Sequence, residues 1–278
     1  MGSRGCPNQC TFCCRVMGGK IRYRSTDVVL KEIEGLILKY NLDEIWFEDD
    51  NFTANSQRAH LILDSLIERN LGVYVKFANG VRADGVNSEI LEKIKRAGCY
   101  SISFGIESGS PRILKLMKKN LSLEKARANV NLAKSLGFLV GSNCIIGYPG
   151  ETVKDINESL DYFISLDLDS MAVVNLIPFP GTEARELCLE KGYLTPEASN
   201  WDNYVFDIQN PKILIETEFL SRGTLRKKIN EAYRRIYLNP KRIYRIAKHM
   251  RLEDIAAGSR IMLSKIFENL KQQTRYTS

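Results

Sequence analysis

Cys6, Cys10 and Cys13 are spaced C-x3-C-x2-C within SRGCPNQCTFCC (3–14), a stretch that holds four of the chain's seven cysteines. Thiolates bind soft and borderline metals and attack disulfides, and a short loop of this spacing turns three sulfurs toward one point. Three is an informative number. A structural zinc site takes four ligands, and a closed iron–sulfur cluster also takes four. A cubane held by three cysteines leaves one iron open to a small molecule. Two other readings stand beside this one. Cys10 and Cys13 alone have the spacing of half a zinc knuckle or of a thioredoxin-like pair. The zinc reading would recruit Cys14, directly beside Cys13, or one of two histidines, His60 and His249. The redox reading leaves Cys6 without a part.

The rest of the chain bounds these choices. With 278 residues, 44% hydrophobic and 26% charged, it has enough apolar residues for a sizeable core without staples. No run of eighteen apolar residues occurs, so no spanning helix is expected. The start, MGSRGCPNQC, lacks the apolar stretch of a signal peptide, and a cytoplasmic location is expected. In that reducing setting clustered cysteines point to metal or redox chemistry rather than disulfides, and an odd count of seven fits a disulfide framework badly. Charge is uneven. From Ser221 onward there are 15 Lys+Arg against 4 Asp+Glu, which leaves 25 against 29 before it. That basic tail could meet an anionic partner, RNA included, but no recognisable RNA-binding module follows, and a solvated surface is the favoured reading.

Short apolar runs alternate with helical patterns. Strands are expected at EIWF (44–47), VYVKFA (73–78), YSISFGI (100–106), FLVGSNCII (138–146) and MAVVNLI (171–177). Helices are expected between them, with Asn55, Ser110-Pro111 and the Thr152/Asp155 pair as N-terminal signals. Serial strand–helix repetition predicts a parallel sheet with right-handed crossovers, and near-continuous apolar strands predict cover on both faces. In such folds chemistry gathers where strands run into helices. Those positions read Glu48–Asn51, Asn79–Arg82, Glu107–Gly109, Gly147–Gly150 and Pro178–Thr182. Cys99, Cys144 and Cys188 read as core residues, and Cys14 receives no role. Beyond residue 200 the pattern becomes helical. Leu225, Ile229, Ala232, Tyr233, Ile236 and Tyr237 form one stripe, and 243–250 and 261–270 carry two more. The expected organisation is a core at 1–195 and a helical, basic extension at 196–278.

Five motifs in order carry a resemblance: RYRSTDVVLKEI (22–33), FEDDNFTAN (47–55), AGCYSISFGIESGSPRILKLMKK (97–119), IIGYPGET (145–152) and PFPGT (178–182). Together with the cysteine loop they resemble the radical S-adenosylmethionine (SAM) superfamily, in particular its cobalamin-associated branch, which shares a core with methylthiotransferase and Elongator-type enzymes. The resemblance runs from about Ser3 to Leu194. It implies an α/β fold, a partial (β/α)6 TIM-like barrel followed by an α-helical extension. It implies a [4Fe-4S] cluster on Cys6, Cys10 and Cys13, with SAM chelated at the open iron and cleaved by one electron to a 5′-deoxyadenosyl radical. By motif position it sets Phe12 near the adenine and Asp50, or a neighbour in Glu48-Asp49, at the SAM amino nitrogen. Glu107 and Ser108 fall at the ribose or methionine part, and Ile145, Gly147 and Pro149 around the adenine. A low-potential donor, flavodoxin or ferredoxin, is implied. The outcome would be methyl transfer or hydrogen abstraction on an unknown substrate. The rival expectations are a tRNA-modifying radical enzyme and a truncated, non-catalytic remnant that binds a metal or a partner. The sequence departs from the family twice. Only five residues precede Cys6, so the first strand is expected to be short or missing. The cobalamin domain that precedes this core in the branch is not in the sequence. Cobalamin use is therefore expected only if a missing or separate domain supplies it.

Overall fold

The computed structural model describes residues 1–207, 210–238, 240 and 242. The chain divides into two compact units, Met1–Arg234 and Arg235–Ser278. The stripes expected at 243–250 and 261–270 lie outside the described residues.

In chain order the elements are β1 (Ser3–Arg4), β2 (Arg22–Tyr23), α1 (Thr26–Tyr40), β3 (Glu44–Phe47), a 3-10 turn (Phe52–Ala54), α2 (Ser56–Arg69), β4 (Tyr74–Phe77), β5 (Val81–Arg82) and α3 (Ser88–Arg96). Next come β6 (Ser101–Glu107), α4 (Pro111–Leu116), α5 (Leu123–Ser135), β7 (Leu139–Ile146), α6 (Val153–Ser165), β8 (Ser170–Asn175), α7 (Glu183–Glu190) and α8 (Arg222–Tyr237). Pairing is parallel for β3–β4 and through β5-β6-β7-β8, as serial crossovers require. The first strand is two residues long and pairs antiparallel with β2 rather than joining the parallel sheet. The strand expected at VYVKFA (73–78) is β4, and a further two-residue strand, β5, follows it. Between β4 and β5 the chain turns at Gly80 (φ +68°), where a Cβ would stand 2.7 Å from Ser103 O, so only glycine fits.

Helix starts follow their sequence signals. The Asn55 side chain accepts from Arg58 N, and Thr152 with Asp155 forms a reciprocal capping box on α6. The sheet departs from expectation in its cover. One face is buried against helices, through Ile102, Phe104 and Ile106 on β6, Val140, Cys144 and Ile146 on β7, and Met171 and Val173 on β8. The opposite face of β6, carrying Ser103, Gly105 and Glu107, is only half-buried, and Asn143 on β7 is exposed. Strands with serine, glycine and asparagine at every second position were not continuous apolar runs, and among the described residues that side is only partly covered. Cys99, Cys144 and Cys188 are buried, as core residues should be. In α8, Leu225, Ile229 and Ala232 are buried, and the Tyr233 hydroxyl sits 3.2 Å from both N and O of Val173, occupying the free edge of β8. No helix among the described residues is long and apolar enough to cross a membrane.

Candidate functional site

The cysteine loop links β1 to β2 and is tied down at both ends. Cys6 N donates to Gly18 O at 3.2 Å and closes the loop. Gly5 (φ +94°) enters it, and a Cβ there would lie 2.5 Å from Lys20 O. Two consecutive carboxylates after β3 hold the incoming chain. Asp49 accepts from Gly2 N (2.8 Å) and Ser3 Oγ (2.5 Å), and Asp50 accepts from Gly5 N (2.7 Å). Arg58 donates to Gly2 O at 2.9 Å and balances the buried Asp49. The middle of the loop is anchored by Thr11. Its N donates to Met117 O (3.0 Å), its O accepts from Ala184 N (3.0 Å), and its hydroxyl bonds Tyr148 OH (2.7 Å). These contacts fix a stretch without regular structure, so the order of the loop is borrowed from β3, α4 and α7.

Cys6, Phe12, Cys13, Asp50 and Glu107 line one cavity of about 340 Å³. Cys10 lies on the wall of an adjoining hollow of about 430 Å³, with Cys13 common to both. All seven cysteines are free thiols. Burial pushes the Cys10 thiol up, and burial with Cys10 and Cys6 nearby pushes Cys13 up to about 11. Without a metal to take the place of their protons these thiols stay neutral. Among the described residues no three His, Cys, Asp or Glu side chains surround a single ion position. A cluster does not ask for that, because each cysteine binds a different iron.

Glu107 closes β6 with φ +74°, a left-handed conformation that a non-glycine residue rarely adopts, and the β6–β7 register shifts between Phe104 and Glu107. Such strain persists only where the surrounding structure enforces it. Its Oε1 is 3.3 Å from Lys119 Nζ, with both side chains almost buried (13% and 10% exposed). Glu48 is exposed and Asp49 is committed to the N-terminal residues, which leaves Asp50 as the member of the acidic run on the cavity. Ser108 is fully buried and bonds Ser159 Oγ at 2.9 Å, tying the turn after β6 to α6, and does not line the cavity. Phe12 and Ile145 both pack on the apolar cluster of Ile113, Met117, Tyr148 and Leu176. Gly147 (φ +84°) and Pro149 lie in the turn after β7, with Gly147 N bonded to Glu151 at 2.5 Å and Pro149 buried.

Six polar residues of this cavity escaped the sequence reading as individuals: Asn8, Arg15, Asn51, Asn79, Arg82 and Lys119. Asn51 and Arg82 sat in stretches already marked as strand ends, and Lys119 closes a quoted motif. Their direction depends on turns that no periodicity encodes.

An incomplete parallel barrel whose strand ends surround a three-cysteine loop defines the class. A profile of the radical SAM superfamily matches residues 2–163, and the chain belongs to that superfamily. It is 31% identical over 243 residues to an uncharacterized methyltransferase of Pyrococcus horikoshii, covering 87% of this chain and 51% of that protein. It is 33% identical over 206 residues to the cytidylyl-2-hydroxyethylphosphonate methyltransferase of Streptomyces wedmorensis, covering 71% and 38%. The chain thus spans about half or less of the length of these relatives. The fold resembles the radical SAM methyltransferase TsrM of Kitasatospora setae, solved with cobalamin and a [4Fe-4S] cluster bound (TM-score 0.68, 18% identity, 83% of this chain and 51% of that one). It also resembles the coproporphyrinogen III oxidase HemN of Escherichia coli (TM-score 0.57, 17% identity, 83% and 50%). The superfamily consists of enzymes that use a [4Fe-4S] cluster and SAM, and it implies a reductant and a substrate. The family expectation of the sequence reading holds.

Proposed function

We propose that this chain is the catalytic core of an enzyme that reductively cleaves SAM and directs the resulting radical to methyl transfer or hydrogen abstraction. The observation that carries this reading is the meeting of Cys6, Cys13, Phe12, Asp50 and Glu107 on one cavity, with Cys10 on the adjoining wall. The donor set suits a cluster held at three corners: of the four thiols in the loop, Cys14 turns its Sγ toward Pro180 O at 3.8 Å, and the buried cysteines sit elsewhere in the core. When bound, the cluster supplies the single electron that breaks the sulfonium's carbon–sulfur bond.

The chain's residues prepare that event. Cys6, Cys10 and Cys13 give up their protons to bind the cluster, and Thr11 and Asp50 hold their loop in place. Asp50 and Glu107 offer negative charge to a ligand that carries an ammonium and a sulfonium, with Asp50 at the amino nitrogen and Glu107 at the ribose or methionine part. Phe12 and Ile145 give the adenine an apolar seat on a shared cluster. Gly147 and Pro149 shape the turn behind that seat. Ser108 acts through the turn that sets Glu107, by its bond to Ser159.

In this reading residues 1–195 form the core and 196–278 the extension, and the protein works in the cytoplasm. Flavodoxin or ferredoxin delivers the electron. Cobalamin would come from a separate domain or chain. Anaerobic reconstitution tests the reading. Full-length protein should take up iron and sulfide, turn brown, and release 5′-deoxyadenosine from SAM when given dithionite. Protein that binds zinc instead, or holds iron yet leaves SAM intact, would overturn it.

A further inference from the structure

Around the three thiols the structure arranges donors that binding alone does not require. Asn8 Nδ2 donates to Cys6 Sγ at 3.3 Å, and Asn51 Nδ2 reaches the same sulfur at 3.9 Å. The two amides come from separate segments, Asn8 from the cysteine loop and Asn51 from the turn after β3. Thr53 Oγ1 donates to Asn51 Oδ1 at 3.4 Å, which occupies the carbonyl end of that amide and leaves its NH2 end toward the sulfur. The same cavity is lined by the Lys119 ammonium, 3.3 Å from Glu107 and 5.9 Å from the centre of the Phe12 ring. The backbone is bent to bring it there. Lys118 (φ +49°) and Asn120 (φ +46°) flank it in the left-handed region, and Arg82 donates to Lys119 O at 2.7 Å and Asn120 O at 2.6 Å. A lysine in the left-handed region is strained, and an ammonium at 10% exposure costs desolvation as well.

A cluster bound by three thiolates becomes more negative by one charge when it is reduced. Hydrogen bonds to its sulfurs and a fixed cation nearby favour the more negative state, most strongly in a partly buried cavity. We propose that Asn8, Asn51 and Lys119 set the cluster's reduction potential in this chain, holding it above what the three thiolates alone would give. The inference rests on the reading that Cys6, Cys10 and Cys13 hold the cluster. The step concerned is the transfer of one electron from the low-potential donor, with no proton moved and no bond broken. Glu107 offsets much of the Lys119 field at a distance, whereas the Asn8 amide acts on its sulfur directly. The Cys6 side therefore has the larger share.

The test is a redox titration of the reconstituted full-length protein without SAM, with dithionite as reductant and the reduced cluster followed by electron paramagnetic resonance. Iron and sulfide per chain are measured first. At a fixed applied potential, Asn8→Ala should lower the ratio of reduced to oxidised cluster roughly tenfold, which corresponds to about 59 mV for one electron. Lys119→Met should lower it by a smaller factor, and Lys119→Arg should restore it. If Asn8→Ala fails to take up iron, Asn51→Ala, which lies outside the loop, decides the matter by the same shift in direction. Equal midpoints in iron-replete variants would overturn the proposal and leave the cluster reading intact. Wild-type protein without any cluster signal would overturn both.

Discussion

At the scale of single residues, the two assignments with the sharpest consequences are Cys10 and Glu107. Cys10 is one of three candidate ligands and sits in a loop framed by backbone bonds, Thr11 and Asp50. Cys10→Ala removes a ligand without touching that frame. The expected result is colourless protein after anaerobic reconstitution, with iron content far below wild type and an unchanged far-ultraviolet circular dichroism spectrum. Full iron in the variant would show that the sulfur is not a ligand. Glu107 pairs with Lys119 and bends the end of β6 into a left-handed turn. Glu107→Ala should leave iron content unchanged and weaken SAM binding about tenfold or more in equilibrium dialysis, an effect of roughly 1.4 kcal/mol. Equal affinity would reduce Glu107 to a structural role. Both residues could be nominated from the sequence, because thiol spacing and an acidic residue at a strand end are local features. The Lys119 partnership was not legible, since it arises from two left-handed residues in a turn whose shape no side-chain pattern announces.

At the scale of elements, the cysteine loop depends on one glycine more than on any regular structure. A methyl group on Gly5 would meet the Lys20 carbonyl at 2.5 Å while the backbone stood in a conformation that L-residues avoid. Gly5→Ala is expected to lower stability by about 1–3 kcal/mol, read as a fall in thermal midpoint. It should also reduce iron uptake, because the bond from Gly5 N to Asp50 would be displaced with it. The elements themselves were largely readable. Caps at Asn55 and Thr152, and alternation from β3 to β8, appear where their residues asked for them. Two features were not. The two-residue strand β5 follows a turn fitted by the close approach of Gly80 to Ser103, which is a tertiary contact. The antiparallel pairing of β1 with β2 uses two residues in each strand, too few for any period to register.

At the scale of the molecule, a buried carboxyl links stability to pH. Glu151 is fully buried, accepts from Gly147 N and Tyr148 N, and is raised by burial from 4.5 to about 8. Between those values the folded chain keeps a proton that the unfolded chain has released. The stability tied to this group is therefore complete below pH 4.5 and declines as pH climbs to about 8. Thermal melts of wild type should show that decline, amounting to a few kcal/mol, and Glu151→Gln should flatten it. A variant with the same slope as wild type would assign the dependence elsewhere. The molecule's overall class was legible in the order of its motifs, and its partly covered sheet face was not. Sequence alternation marks which residues share a face, but whether another layer arrives to cover that face is decided by distant parts of a polypeptide.

That partly covered face has a geometric outcome of its own. Gly141 stands in register between Ser103 and Ser170, and a methyl added to it would run into the Ser170 hydroxyl at 2.6 Å. Any larger residue at 141 must first turn the Ser170 side chain aside, so the width of this strip is set by two adjoining strands together.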